Sequence, residues 1–178
     1  SLVDIYLYLS FFVTVTSGPI LRIGNFLDGM NQAEAARKTD AAACLERIFL
    51  GLCKKVLLAD KIAMVSDLYF EGMLVGYPYS GVGLWVGAIA YTLQLYFDFS
   101  GYSDMAIGIG SLMGFSIPEN FNHPYQAKSI QDFWKRWHIT LSQWFRDYVY
   151  IPLGGSRCSA ARNIIHLSCV WLLTGIWH

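Results

Sequence analysis

A neutral imidazole can take a proton from a hydroxyl held within hydrogen-bond reach, which makes histidine the first side chain to follow here. The chain has four, His123, His138, His166 and His178. His138 ends the run FWKRWH (Phe133–His138) and His178 ends LLTGIWH (Leu172–His178). From spacing alone, the simpler reading of both is a neutral ring bonded to a backbone carbonyl of a neighbouring helix. His123, between Asn122 and Pro124, and His166, on an apolar stretch before Cys169, have no recruiting neighbours and read as structural. The run DFSGYSD (Asp98–Asp104) is a second cluster, and carboxylates beside so apolar a stretch face a cavity, pair with a partner or serve function. Gln94 with Asp98, and Ser100 with Asp104, share helix faces at i,i+4. Two readings stay open for them: a donor or acceptor path, or hydrogen-bond ties between helices. Ser142 and Ser168 lack the strand–turn–helix elbow that an acyl-serine nucleophile needs. Cys44, Cys53, Cys158 and Cys169 lack paired metal-ligand spacing and read as small hydrophobes, so no metal site is expected.

These residues must be positioned by an apolar, helical chain. Its 178 residues carry 13 basic and 13 acidic side chains, with 54% hydrophobic and 15% charged residues and a mean hydropathy of +0.38. Low charge and high hydrophobicity exclude a disordered chain, and zero net charge leaves no basic excess for nucleic acid. The charges are segregated: residues 62–127 hold no lysine or arginine, although Asp67, Glu71, Asp98, Asp104 and Glu119 lie among them. A soluble surface intersperses both signs. Leu2–Leu21, Gly81–Phe97 and Asn163–His178 are apolar runs near the length of a membrane span. The expectation is an all-α, multi-pass transmembrane helical bundle. It would be an incomplete one, with residues 1–178 the central part of a single membrane domain truncated at both ends, because the chain opens on Ser1 and stops within an apolar run.

Further elements follow from periodicity. Leu2–Leu21 is one segment interrupted near its end by Gly18-Pro19, and Asn25–Asp40 is a polar connector. Ala41–Phe70 repeats apolar residues at helical spacing, which suits a helix at the headgroup boundary. Its basic residues suggest a cytoplasmic face. Gly72–Gly83 is a turn region, Leu84–Phe115 a long helix, and Ile117–Gln126 a loop held by two prolines. Ser129 and Asp132 have the spacing of a capping box. From there Ile130, Phe133, Trp134, Trp137, Leu141, Trp144, Phe145 and Tyr148 form one apolar stripe, opposite Asp132, Arg136, Gln143 and Asp147, with His138 at its edge. A single amphipathic helix ending at Pro152 is expected. The Gly83/Gly87 and Gly110/Gly114 pairs fit close helix packing, and the abundant Tyr and Trp fit interfacial anchoring.

The stretches YTLQLYFDFSGYSDMAIGIGSLMGFSIPENFNHPY (Tyr91–Tyr125), FWKRWHITLSQWFRDYVYIPLGGSR (Phe133–Arg157) and LLTGIWH (Leu172–His178), with GPILR (Gly18–Arg22) upstream, resemble the membrane-bound O-acyltransferase family. The similarity is greatest to its bacterial branch that O-acetylates alginate and related exopolysaccharides, and it runs over essentially the whole chain. It implies core helices around a tunnel with two histidines at its centre, His178 and His138. His178 would be the base for a sugar hydroxyl attacking an acyl thioester. His138 would orient the substrate or stabilise developing charge. No cofactor is expected to stay bound, and the donor would be acetyl-CoA or another acetyl thioester. Membrane lipid, companion periplasmic acetyltransferase proteins and a polysaccharide acceptor would be the partners, and the bacterial inner membrane the location. Two alternatives remain, D-alanyl transfer to teichoic acid within the family, and a membrane transporter using Asp98 and Asp104 as an ion path. A transporter would be expected to show paired halves, and no internal repeat is evident.

Overall fold

The computed structural model describes residues 1–15, 18–31 and 40–152, and every regular element among them is helical. The chain forms two compact units, Ser1–Pro118 and Glu119–His178. The first contains α1 (Leu2–Leu9), α2 (Ile23–Asn31), α3 (Ala41–Cys53), a π-helical turn (Lys54–Ala59), α4 (Asp60–Leu74) and α5 (Gly81–Leu112). The second contains a 3-10 turn (Pro124–Gln126), α6 (Ile130–Trp134), α7 (Ile139–Phe145) and a second π-helical turn (Arg146–Tyr150).

Leu2–Leu21 is not one helix up to Gly18-Pro19. It stops at Ser10, whose hydroxyl donates to the Tyr6 carbonyl at 2.8 Å and so competes with the helical ladder. The turn that follows lets Phe11, Val13 and Leu21 join Phe26, Ala106, Ile107 and Ile117 in one buried cluster. Tyr8 closes it by donating to the Leu21 carbonyl at 2.7 Å. The expected polar connector from Asn25 is in part α2, because Phe26 needs a helical phase to stack on Phe115 at 5.3 Å.

Asp40 caps α3, its carboxylate accepting from Ala42 N at 3.0 Å. The helical backbone then continues from Ala41 through the π turn to Leu74, beyond the expected end at Phe70. Glycines let this rod approach α5 closely: a Cβ on Gly51 would lie 2.5 Å from the Gly101 oxygen, and one on Gly108 would lie 2.9 Å from the Cys44 oxygen. Gly87 has the same role against α4, where a Cβ would meet Tyr69 at 2.8 Å. Gly114 instead takes a positive φ of 86° in the turn after α5, so it belongs to a chain reversal and not to a packing pair.

Among the described residues, no helix is both long and apolar enough to cross a membrane. The 32 residues of α5 make it about 48 Å long at 1.5 Å per residue, but Asp98 and Asp104 interrupt its apolar run. The Asn163–His178 run lies outside the described residues.

Candidate functional site

His138 does not lie within a helix. The expected amphipathic helix breaks at this residue, which adopts φ 43° and ψ 57°, a left-handed conformation costly for a side chain with a Cβ. The break has a visible cause in Asn120. Its backbone carbonyl accepts from Ile139 N at 3.0 Å, and its side-chain Oδ1 accepts from Thr140 N at 3.2 Å. Both are first-turn N–H groups of α7 with no partner inside that helix. The loop thus caps α7 from outside, and Asn122 N donating to the Arg136 carbonyl at 2.9 Å holds the chain on the other side. Trp137 is buried between Phe133, stacked at 5.6 Å, and Phe121, edge-on at 5.1 Å.

The remaining stripe is only partly buried. Phe145 is in the core, whereas Ile130, Trp144 and Tyr148 are exposed. On the charged face, Arg136 pairs with Asp132 at 2.9 Å. Only half of the capping box forms: Ser129 Oγ accepts from Asp132 N at 3.1 Å, while the Asp132 carboxylate accepts from Lys128 N at 3.2 Å.

The Asn120 side chain also determines the state of His138. Because Oδ1 accepts from the backbone N–H of Thr140, and the Thr140 hydroxyl donates to it at 2.9 Å, it is the carbonyl oxygen of the amide. The 3.0 Å contact between His138 Nδ1 and that oxygen therefore requires Nδ1 to carry the proton. In a neutral ring Nε2 is then the basic nitrogen. Burial keeps the ring neutral, pushing its pKa down to about 4, and no charged group among the described residues contributes to that shift. An unprotonated Nε2 can accept from a hydroxyl but cannot donate to an oxyanion. Of the two roles that the sequence leaves to His138, this geometry suits orientation of a hydroxyl. His123, in contrast, is exposed at a left-handed turn before Pro124. His166, Cys158, Cys169, Ser168 and the other expected site residue, His178, lie outside the described residues.

The acidic cluster of α5 is a charge network inside the first unit. Asp104 receives Arg47 through Nε at 3.2 Å and Nη2 at 3.1 Å, both on Oδ1, and Lys54 Nζ at 2.5 Å on Oδ2. Asp98 pairs with Lys55 Nζ at 2.6 Å, and Lys55 also reaches Asp60 at 3.1 Å. Both lysines lie in the π-helical turn, where the wider winding interrupts the regular i→i−4 ladder. Three of the cations that suggest a cytoplasmic face, Arg47, Lys54 and Lys55, are thus paired within the fold. Of the two readings of the acids, the structure supports ties between helices. The ties are charge-assisted hydrogen bonds. Beside the network opens a cavity of about 600 Å³, walled by Leu50, Leu57 and Leu58. Cys53 lies on the same wall and Cys44 is buried, both as free thiols.

Asn120 is the residue that sequence reasoning missed. The available signal was its place in PENFNHPY, a polar side chain in a proline-bounded loop leading to the histidine segment.

The profile of MBOAT, the membrane-bound O-acyltransferase family, matches residues 1–178. The chain belongs to that family. It is 46% identical over 178 residues to a protein of Pseudomonas aeruginosa named a probable alginate O-acetylase, AlgI, covering 100% of this chain and 33% of the relative. A peptidoglycan O-acetyltransferase of Helicobacter pylori is 43% identical over 98% of this chain and 33% of its own length. A teichoic acid D-alanyltransferase of Bacillus subtilis is 33% identical over 96% of this chain and 45% of its own. The chain thus spans about a third of the length of the first of these relatives.

Proposed function

We propose that this chain is the central part of a membrane O-acyltransferase that passes acetyl groups toward hydroxyls of an extracytoplasmic polysaccharide such as alginate. One observation carries the substrate class: relatives named for O-acetylation are 46% and 43% identical, whereas a relative named for D-alanyl transfer is 33% identical. The His138 geometry supports the chemistry, because a hydroxyl acceptor needs a basic nitrogen in a site that stays neutral.

In the reaction, the sugar oxygen bonds to the carbonyl carbon of an acetyl thioester and the C–S bond breaks. The hydroxyl proton passes to His178 and returns to the leaving thiolate. His138 Nε2 accepts a hydrogen bond from the hydroxyl and aims it. The donor is acetyl-CoA or another acetyl thioester, with no resident cofactor. Companion periplasmic proteins complete delivery to the polymer, and the whole protein is a multi-pass helical bundle of the bacterial inner membrane in contact with lipid. The family match lends nothing to the transporter alternative.

Two measurements test this reading. Full-length protein in proteoliposomes, supplied with acetyl thioester, should release thiol and yield acetyl esters. Deletion of the full-length gene should remove acetyl esters from the host's exopolysaccharide, as read by mass spectrometry. Loss of D-alanyl esters with acetyl content intact would replace the reading by the family's other activity. Ion flux without thiol release would replace it by transport.

A further inference from the structure

We propose that Asn120 is a positioning residue for acyl transfer: its side-chain carbonyl holds His138 in the Nδ1–H tautomer and aims Nε2 at the acceptor hydroxyl. The inference rests on the acyltransferase reading given above. Its structural basis is separate. Asn120 is 0% exposed, and its Oδ1 collects three donors, from His138 Nδ1, Thr140 N and Thr140 Oγ1. Its backbone carbonyl takes a fourth, from Ile139 N. One residue thus secures both the ring and the break in the chain that presents it.

The other half of the amide sharpens the argument. Asn120 Nδ2 is buried and has no hydrogen-bond partner among the described residues. A buried unpaired amide donor is costly, and a carboxylate of the same shape would keep all three bonds to Oδ1 while removing that orphan donor. Function supplies a reason for the amide. A carboxylate facing Nδ1–H would stabilise the imidazolium, so Nε2 would be protonated over more of the working pH range and could not accept from a hydroxyl. The amide imposes the same tautomer without adding charge. The charged residues nearest in sequence are Glu119, Lys135 and Arg136, and across α6 lies the Asp132–Arg136 pair; none of them contributes to the depressed pKa of the ring.

The test uses full-length protein in native membranes, with acetyl transfer normalised to inserted protein and measured as kcat/KM against pH. Asn120→Asp preserves the accepting oxygen, and its acid limb should move upward by about one to three pH units while activity recovers at alkaline pH. A purely structural role would lower activity by the same factor at every pH. Asn120→Ala should cut kcat more than it changes KM, and it should add no further loss when combined with His138→Ala, since the two residues act as one unit. An Asn120→Asp profile superimposable on wild type would overturn the proposal. So would a double variant markedly worse than His138→Ala, and that comparison decides the matter even if the Asp variant accumulates poorly. A wild-type protein that transfers no acetyl group would instead sink the acyltransferase reading, which keeps the two failures apart.

Discussion

Replacing Asp104 by Asn removes a charge that two cations share, and the cost can be set against the same change at Asp98. The Asp104 side chain is 18% exposed and its partners Arg47 and Lys54 are 33% and 35% exposed. Exposed pairs are worth about 0.2–1 kcal/mol each, whereas removing one partner of a fully buried pair costs about 3–5 kcal/mol. Asp104 lies between these limits and leaves two cations behind, so Asp104→Asn should destabilise the protein by about 2–3 kcal/mol. Asp98 is 35% exposed, its partner Lys55 is 42% exposed, and Lys55 keeps Asp60. Asp98→Asn should therefore cost less than about 1 kcal/mol. Thermal unfolding of both full-length variants in detergent, with membrane abundance and acetylation measured in parallel, gives the comparison. The combined change Arg47→Met, Lys54→Met and Asp104→Leu should recover much of the loss, because an apolar cluster of similar volume needs no compensating charge. Equal melting of the two single variants would refute the argument from burial. Low activity of Asp98→Asn at full abundance would refute the reading of Asp98 as a tie.

Replacing His178 by Ala should abolish polysaccharide acetylation with membrane insertion intact, and unchanged acetyl content would remove it from the mechanism. His138→Ala should lower activity severely but leave some turnover, because aiming a hydroxyl contributes less than taking its proton; wild-type rates would make it structural. Protons should destabilise the fold between about pH 6.5 and pH 4, since the unfolded chain protonates His138 below the first value and the folded chain only below the second. His138→Gln should flatten that part of a melting-temperature profile, and an unchanged slope would assign it to other groups. Gly101→Ala should cost about 1–3 kcal/mol, because its Cβ would lie 2.7 Å from the Gly51 oxygen and a backbone atom cannot rotate away. Gly24→Ala in α2, with nothing within 4 Å, should be neutral or mildly stabilising in the same melts.

Helical character, the long α5 and the proline-bounded loop before the histidine segment were legible in sequence, because local propensity and apolar periodicity act over a few residues. So was the family, through runs such as FWKRWH and LLTGIWH. Three things were decided only in three dimensions. The break at His138 depends on Asn120 supplying acceptors to α7 from about twenty residues away, and no periodicity within the helix reports a cap that comes from elsewhere. The partners of Asp98 and Asp104 are on α3 and the π turn, fifty residues or so upstream; sequence shows that such carboxylates need partners, but tertiary packing chooses them. The end of α1 at Ser10 follows from the cluster that Phe11, Val13 and Leu21 enter together. An apolar run records that its side chains avoid water. Whether one straight helix or a reversed chain buries them depends on the surfaces that other elements bring.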